Sequence, residues 1–214
     1  MIPLDCKLII FDLDGVLWDS NNIHYMAYSY VFNKEGLKPP LYKFIYGKKT
    51  LDVMSSLLKD KYGEINNNDL LRVVREKQDM ANYLLKTNMV INSEVISVLS
   101  KLSVNYKLAI ASSSSMRNVN LFLRLAKLQM NFFDTIVTGD DVICAKPSPE
   151  IYNLVLKKCN ISPINCIVIE DSISGIRSAL SAKIKCIALE GTHSSYELKK
   201  YNIYKFIKSL NELC

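Results

Sequence analysis

The residues that most restrict what this chain can fold into lie near its start. Lys7-Leu8-Ile9-Ile10-Phe11 is a short run dominated by branched and aromatic side chains, and Asp12-Leu13-Asp14-Gly15 follows at once. So short and apolar a run reads as a strand covered on both faces of a parallel sheet. Unpaired acids are not kept inside such a strand, so the chain should surface at its C-terminal end with both carboxylates on the exit loop. Gly15 permits the sharp change of direction. Open parallel sheets bind ligands outside the carboxyl ends of their strands. Asp12 and Asp14 are therefore the first candidates for a cation or phosphate site.

Further along, apolar runs and amphipathic helical patterns alternate. Helices are expected over 93–103, 118–128, 149–159 and 173–182, and strands over 106–111, 135–138, 166–169 and 185–189, with a weak strand-helix pair over 204–213. That alternation predicts an α/β fold, a Rossmann-like parallel sheet with helices on both faces. One strand-helix-strand unit takes about 30 residues. Here the first strand ends near Phe11 and the second begins near Tyr106. The excess is mostly helical: 23–32, 50–62 with Gly63 as its stop, and a longer pattern capped at Asn68 or Asp69. The expected domains are an α/β core over 1–18 and 92–214 and an inserted helical cap over 19–91, hinged near 17–20 and 90–93. An insertion rooted at the ligand-binding edge is placed to cover it.

With 214 residues, 49% hydrophobic and 22% charged, the chain has the composition of an ordinary globular protein with a real core. Its net charge of +6 comes from scattered lysines, which argues against a nucleic-acid partner. No apolar run approaches the roughly 18 residues of a membrane span, and no basic leader precedes an apolar segment, so a cytoplasmic protein without membrane association is expected. The six cysteines form no C-x-x-C pair and have no histidine at ligand spacing, which points to free thiols and no structural zinc.

Each later strand hands a polar cluster to the same edge: Ser112-Ser113-Ser114-Ser115, then Gly139-Asp140-Asp141 and Lys146-Pro147-Ser148-Pro149-Glu150, then Glu170-Asp171-Ser172. Each has a plainer reading. The serines can be loop and helix cap. Ser148-Pro149 can be an N-cap and first-turn proline, leaving Lys146 exposed. Glu170-Asp171 can be a solvated pair. Their joint occurrence with Asp12 and Asp14 suits phosphoryl transfer, which needs a nucleophile, neutralisation of spreading charge and a proton for the leaving oxygen. Converging carboxylates call for a hard cation, and magnesium fits. Ser112 offers its hydroxyl, and it and Ser113 the neighbouring backbone N–H groups, to phosphate oxygens. Lys146 supplies a positive charge beside them.

In order and spelling, Asp12-x-Asp14-Gly15-Val16, Ser112, Lys146-Pro147 and Glu170-Asp171 resemble the four motifs of the haloacid dehalogenase superfamily, over 7–189. Ala-Lys-Pro-Ser-Pro-Glu and Ile-Glu-Asp-Ser-Ile-Ser-Gly-Ile are similar to its branch of β-phosphoglucomutases and small sugar-phosphate phosphatases. The resemblance implies Asp12 as nucleophile, Asp14 as general acid and base, Ser112 as phosphate ligand and Lys146 as the residue that steadies both. It implies a Mg2+ site of Asp12, Asp14 (through its carbonyl), Glu170 and Asp171. His24 matches a histidine found near the hinge in that branch, although a partly buried helix histidine is an equal reading. In the cap loop Gly47-Lys48-Lys49-Thr50, the mutases place an arginine where this chain has Thr50. Gly47, Lys49 and His24 are the candidate substrate contacts of the cap, and Trp18 either packs at the hinge or faces substrate. The expected activity is a Mg2+-dependent phosphatase for a small phosphorylated metabolite. The alternatives are a hexose-phosphate mutase and, of another class, a non-catalytic phospho-acceptor module. A calcium loop is excluded, because Val16 and Ile23 stand where ligands would be needed.

Overall fold

The computed structural model describes residues 2–41, 45, 48–88, 91–191, 193, 195–198 and 200–214. Strands β1 (Leu8–Phe11), β2 (Lys107–Ala111), β3 (Thr135–Val137), β4 (Cys166–Glu170), β5 (Lys185–Leu189) and β6 (Lys205–Ile207) make one parallel sheet in the order β3-β2-β1-β4-β5-β6. Phe11 is level with Ile110 of β2 and with Ile169 of β4. The next residues, Asp12, Ala111 and Glu170, therefore reach the sheet edge together.

The strands are apolar on both faces because both are covered. Leu8, Ile10, Ala109, Val168 and Cys186 share a cluster with Ile151, Tyr152 and Val155 of helix α6 (Glu150–Cys159) and Ile176 and Ala179 of α7 (Ile173–Ser181). The alternate residues Ile9, Phe11, Leu108, Ile110, Ile167 and Ile169 are equally buried. Helix α5 (Met116–Leu125) links β2 to β3, and α7 links β4 to β5 in the opposite direction across the sheet. Right-handed crossovers then place α5 and α7 on opposite faces. The reversal of winding falls between β1 and β4, where an open sheet leaves a crevice at its C-terminal edge.

The chain divides into two compact units, Met1–Asp19 with Val90–Cys214, and Ser20–Met89. The second unit is helical: α1 (Asn21–Lys34), α2 (Thr50–Tyr62) and α3 (Asn67–Asn88). Tyr28, Val31 and Phe32 of α1, Val53, Met54 and Leu58 of α2, and Val73 and Val74 of α3 form its core. Gly63 ends α2 at a φ of 73°. The cap of α3 is Asn66 rather than Asn68 or Asp69: Asn66 Oδ1 accepts from Asp69 N–H at 2.9 Å. Among the described residues no helix is long and apolar enough to cross a membrane. Helix α4 (Ser93–Leu102), capped by the Asn92 side chain, returns the chain to the sheet.

Candidate active site

At the crevice between β1 and β4, Lys146 decides the arrangement. Its Nζ donates to Asp12 Oδ1 at 2.6 Å, Glu170 Oε1 at 2.7 Å and the Ala111 carbonyl at 3.0 Å. Three acceptors use all three ammonium hydrogens. The side chain is buried, not exposed as a Ser148-Pro149 cap alone suggested. Pro149 precedes the first turn of α6 instead of lying in it, and Ser148 Oγ accepts from Glu150 N–H at 3.3 Å. Burial alone would lower the lysine's pKa, but Asp12 and Glu170 more than reverse this and hold the ammonium well above its ordinary value.

Glu170 and Asp171 are not a solvated loop pair. Each is 1% exposed. Glu170 closes β4, and its Oε2 accepts from the N–H groups of Asp171 and Ser172 and from the Ser172 hydroxyl. Its Oε1 takes Lys146 and, at 3.3 Å, the Tyr152 hydroxyl. Ser172 also caps α7, accepting from Gly175 N–H at 3.0 Å. Gly175 has no side chain because a Cβ there would fall inside the Glu170 carboxylate.

One carboxylate oxygen from each of Asp12, Glu170 and Asp171 lies within 4.8 Å of the others. Burial first, and then the charges of Glu170, Asp171 and Asp14, push Asp12 upward, while Lys146 pulls it down. Three buried acids gather here, two of them on one ammonium, and all their ligand atoms are hard oxygens. This donor set fits a divalent cation such as Mg2+. Asp14 is outside that group of side chains. Gly15, at a φ of 89°, turns the loop just after it. Asp14 Oδ2 accepts from Ser114 Oγ at 2.6 Å and from Ser112 Oγ at 3.5 Å. Ser112 is buried and Ser113 half-buried.

Residues 9–189 match the model of the haloacid dehalogenase-like hydrolases. The chain belongs to that family. It is 37% identical over 187 residues to the phosphorylated carbohydrates phosphatase of Thermotoga maritima, covering 85% of this chain and 83% of that one. It is 25% identical over 183 residues to the fructose-1-phosphate phosphatase YqaB of Escherichia coli, covering 84% and 94%. The crystal structure of β-phosphoglucomutase from Clostridium difficile superposes with a TM-score of 0.84 at 28% identity, over 98% of this chain and 93% of that one.

In this hydrolase, the other sequence candidates fall in different places. Trp18 is buried in the α/β unit, its ring centroid 5.8 Å from that of Phe122. Asp140 and Asp141 are structural: Asp140 accepts from Met116 N–H, and Asp141 closes a capping box with Thr138. Gly47 lies outside the described residues. Lys49 is half-buried as the N-cap of α2, and Lys48 is exposed. His24, half-buried on α1, has its Nδ1 3.2 Å from Lys77 Nζ, which also donates to Thr50 Oγ1 at 3.5 Å. A lysine therefore stands at Thr50, but it is Lys77 of α3, which the sequence reading did not single out. Tyr152 and Gly175 had no place in that reading either, and Ser114 and Ser172 stood in it only as members of their polar clusters. Two carried signals: Gly175 interrupts a helical pattern, and Lys77 lies on the stripe of α3 that holds Val74 and Ala81.

Proposed function

We propose that this hydrolase is a Mg2+-dependent phosphatase for small phosphate monoesters, with phosphorylated carbohydrates as the substrate class. One observation carries it: the carboxylates of Asp12, Glu170 and Asp171 converge, with Lys146 on the first two, where the sheet reverses its winding. The names of the relatives support the substrate class.

Asp12, through the oxygen that Lys146 does not hold, attacks phosphorus as the bond to the leaving oxygen breaks, giving an aspartyl phosphate. Asp14 hands its proton to that oxygen. The resulting Asp14 carboxylate then takes a proton from water, whose oxygen attacks the same phosphorus and releases Asp12 and inorganic phosphate. Ser112 and Ser113 contact the phosphoryl oxygens, and Lys146 keeps Asp12 oriented. Asp12, the Asp14 carbonyl, Glu170 and Asp171 would hold a bound Mg2+, which supplies charge neutralisation for the transferring group. The inserted helical unit is assigned the role of cap, with Lys49, His24 and Gly47 as its substrate contacts, because the chain enters it directly after the acidic loop. A cytoplasmic location belongs to the same reading.

Asp12→Asn should abolish hydrolysis of an aryl phosphate while leaving the unfolding curve intact. Turnover in that variant, or full activity in excess chelator, would sink the proposal. Efficient conversion of β-glucose 1-phosphate to glucose 6-phosphate with a bisphosphate primer would instead establish the mutase reading.

A further inference from the structure

The four-serine loop holds more structure than phosphate binding asks of it. Ser114 Oγ lies 2.6 Å from Asp14 Oδ2, the shorter of the two serine contacts to that carboxylate. Behind it, Asn118 Nδ2 lies 3.5 Å from Ser114 Oγ. An amide nitrogen only donates, and a carboxyl oxygen that carries no proton only accepts, so with the proton of Asp14 on Oδ1 the chain runs from Asn118 to Ser114 to Asp14. Ser114 spends its one proton on Asp14.

Asn118 is an odd resident of its site. It is buried on α5, as Val119, Leu121 and Phe122 are, and its Oδ1 is a buried oxygen with no hydrogen-bond partner among the described residues. A buried acceptor left unmatched costs about 1–3 kcal/mol. A leucine of similar size would avoid that cost, so what the asparagine supplies there is its N–H. The serine loop is also pinned from the β3 side. Gly139 N–H donates to the Ser114 carbonyl at 2.9 Å, and Asp140 Oδ2 accepts from Met116 N–H at 2.8 Å. A Cβ on Gly139 would collide with the Ser113 carbonyl.

We propose that Ser114, backed by Asn118, is the positioning residue for Asp14: it fixes the rotation of that carboxylate so that Oδ1 carries the proton to the leaving group. The assignment rests on the phosphatase reading above and adds two residues outside the nucleophile, phosphate and cation contacts. It makes leaving-group dependence the diagnostic. An alkyl alkoxide must be protonated as it departs, whereas 4-nitrophenolate leaves without help.

The experiment is single-turnover cleavage by excess enzyme with Mg2+, comparing 4-nitrophenyl phosphate with the best alkyl substrate among hexose and glycerol phosphates. Ser114→Ala should slow alkyl cleavage by roughly tenfold or more and nitrophenolate release by less than about threefold, part of the 10²–10⁴ that a placed general acid gives. Ser114→Thr, which keeps the hydroxyl, should restore most of the alkyl rate. Asn118→Leu should lower the alkyl-to-aryl ratio a few fold while the melting temperature holds or rises, an outcome that damage to the fold cannot produce. Equal losses on both substrates, or no loss, would overturn the assignment. Should the native enzyme cleave neither substrate, or Asp12→Asn cleave both, the phosphatase reading itself would have failed instead.

Discussion

Each unit of the molecule buries a lysine over a tyrosine ring, and the polar contacts of the two lysines differ. Lys146 lies 5.2 Å from the centroid of Tyr152, and Lys77 4.4 Å from that of Tyr28; each residue is 4% exposed. Lys146 is locked to two carboxylates at 2.6 and 2.7 Å. The contacts of Lys77 described above are an imidazole nitrogen, a hydroxyl and an aromatic face. A lysine between buried acids is part of the fold's electrostatic balance, and removing it strands charge. A lysine that lies over a ring keeps the packing of its apolar stem when an uncharged side chain of similar length replaces it.

The largest expected effect tests the first half of that contrast. Lys146→Met should abolish phosphatase activity and lower the unfolding free energy in urea by about 3–5 kcal/mol, because two buried carboxylates lose their partner. Next comes the cation. Saturating Mg2+ should raise stability by about 2.7 kcal/mol at a hundredfold excess over its dissociation constant, read as a shift in melting temperature. Asp171→Asn should remove that shift, whereas Lys77→Met should leave it in place. A Mg2+ shift that vanished with Lys77→Met would break the separation of the two regions.

Gly175→Ala comes third. Its methyl group enters the space of the Glu170 carboxylate. Overpacking of this kind costs roughly 1–3 kcal/mol, and activity should fall with the displaced acid. The smallest loss should be that of Lys77→Met. Methionine keeps the apolar stem against Tyr28, so the expected cost is the cation–ring attraction of about 0.5–2 kcal/mol and two modest polar contacts. Equal urea midpoints for the Lys77 and Lys146 variants would contradict the whole comparison.

What the sequence told in advance follows the same division. The acidic loop was legible because strand runs and carboxylates are local signals: β5 and α2 fall where periodicity put them, over Lys185–Leu189 and Thr50–Tyr62. Partners across the chain were not legible. Nothing near Lys146 says that it will be buried, because its burial depends on Glu170 and on a register between β1 and β4 that only the folded sheet defines. Asn66 hid as the cap of α3 because three consecutive asparagines, Asn66, Asn67 and Asn68, each suit that role. Ser114 read as one serine among four until the loop was folded against Asp14.

The place of the insertion also governs the order in which a nascent chain can gain structure. Strand β1 is made before every other strand of the sheet, yet its neighbours begin only at Lys107 and Cys166. Ser20–Met89 packs within one continuous stretch, so it can consolidate while β1 still waits for a neighbour. The Leu8–Phe11 strand is thus an unpaired apolar edge until β2 has been made, and Asp12 gains Lys146 only once 134 further residues have followed it. A half-made chain would therefore be prone to association through that strand, and it would have no hydrolytic activity to release into the cell before the sheet closes.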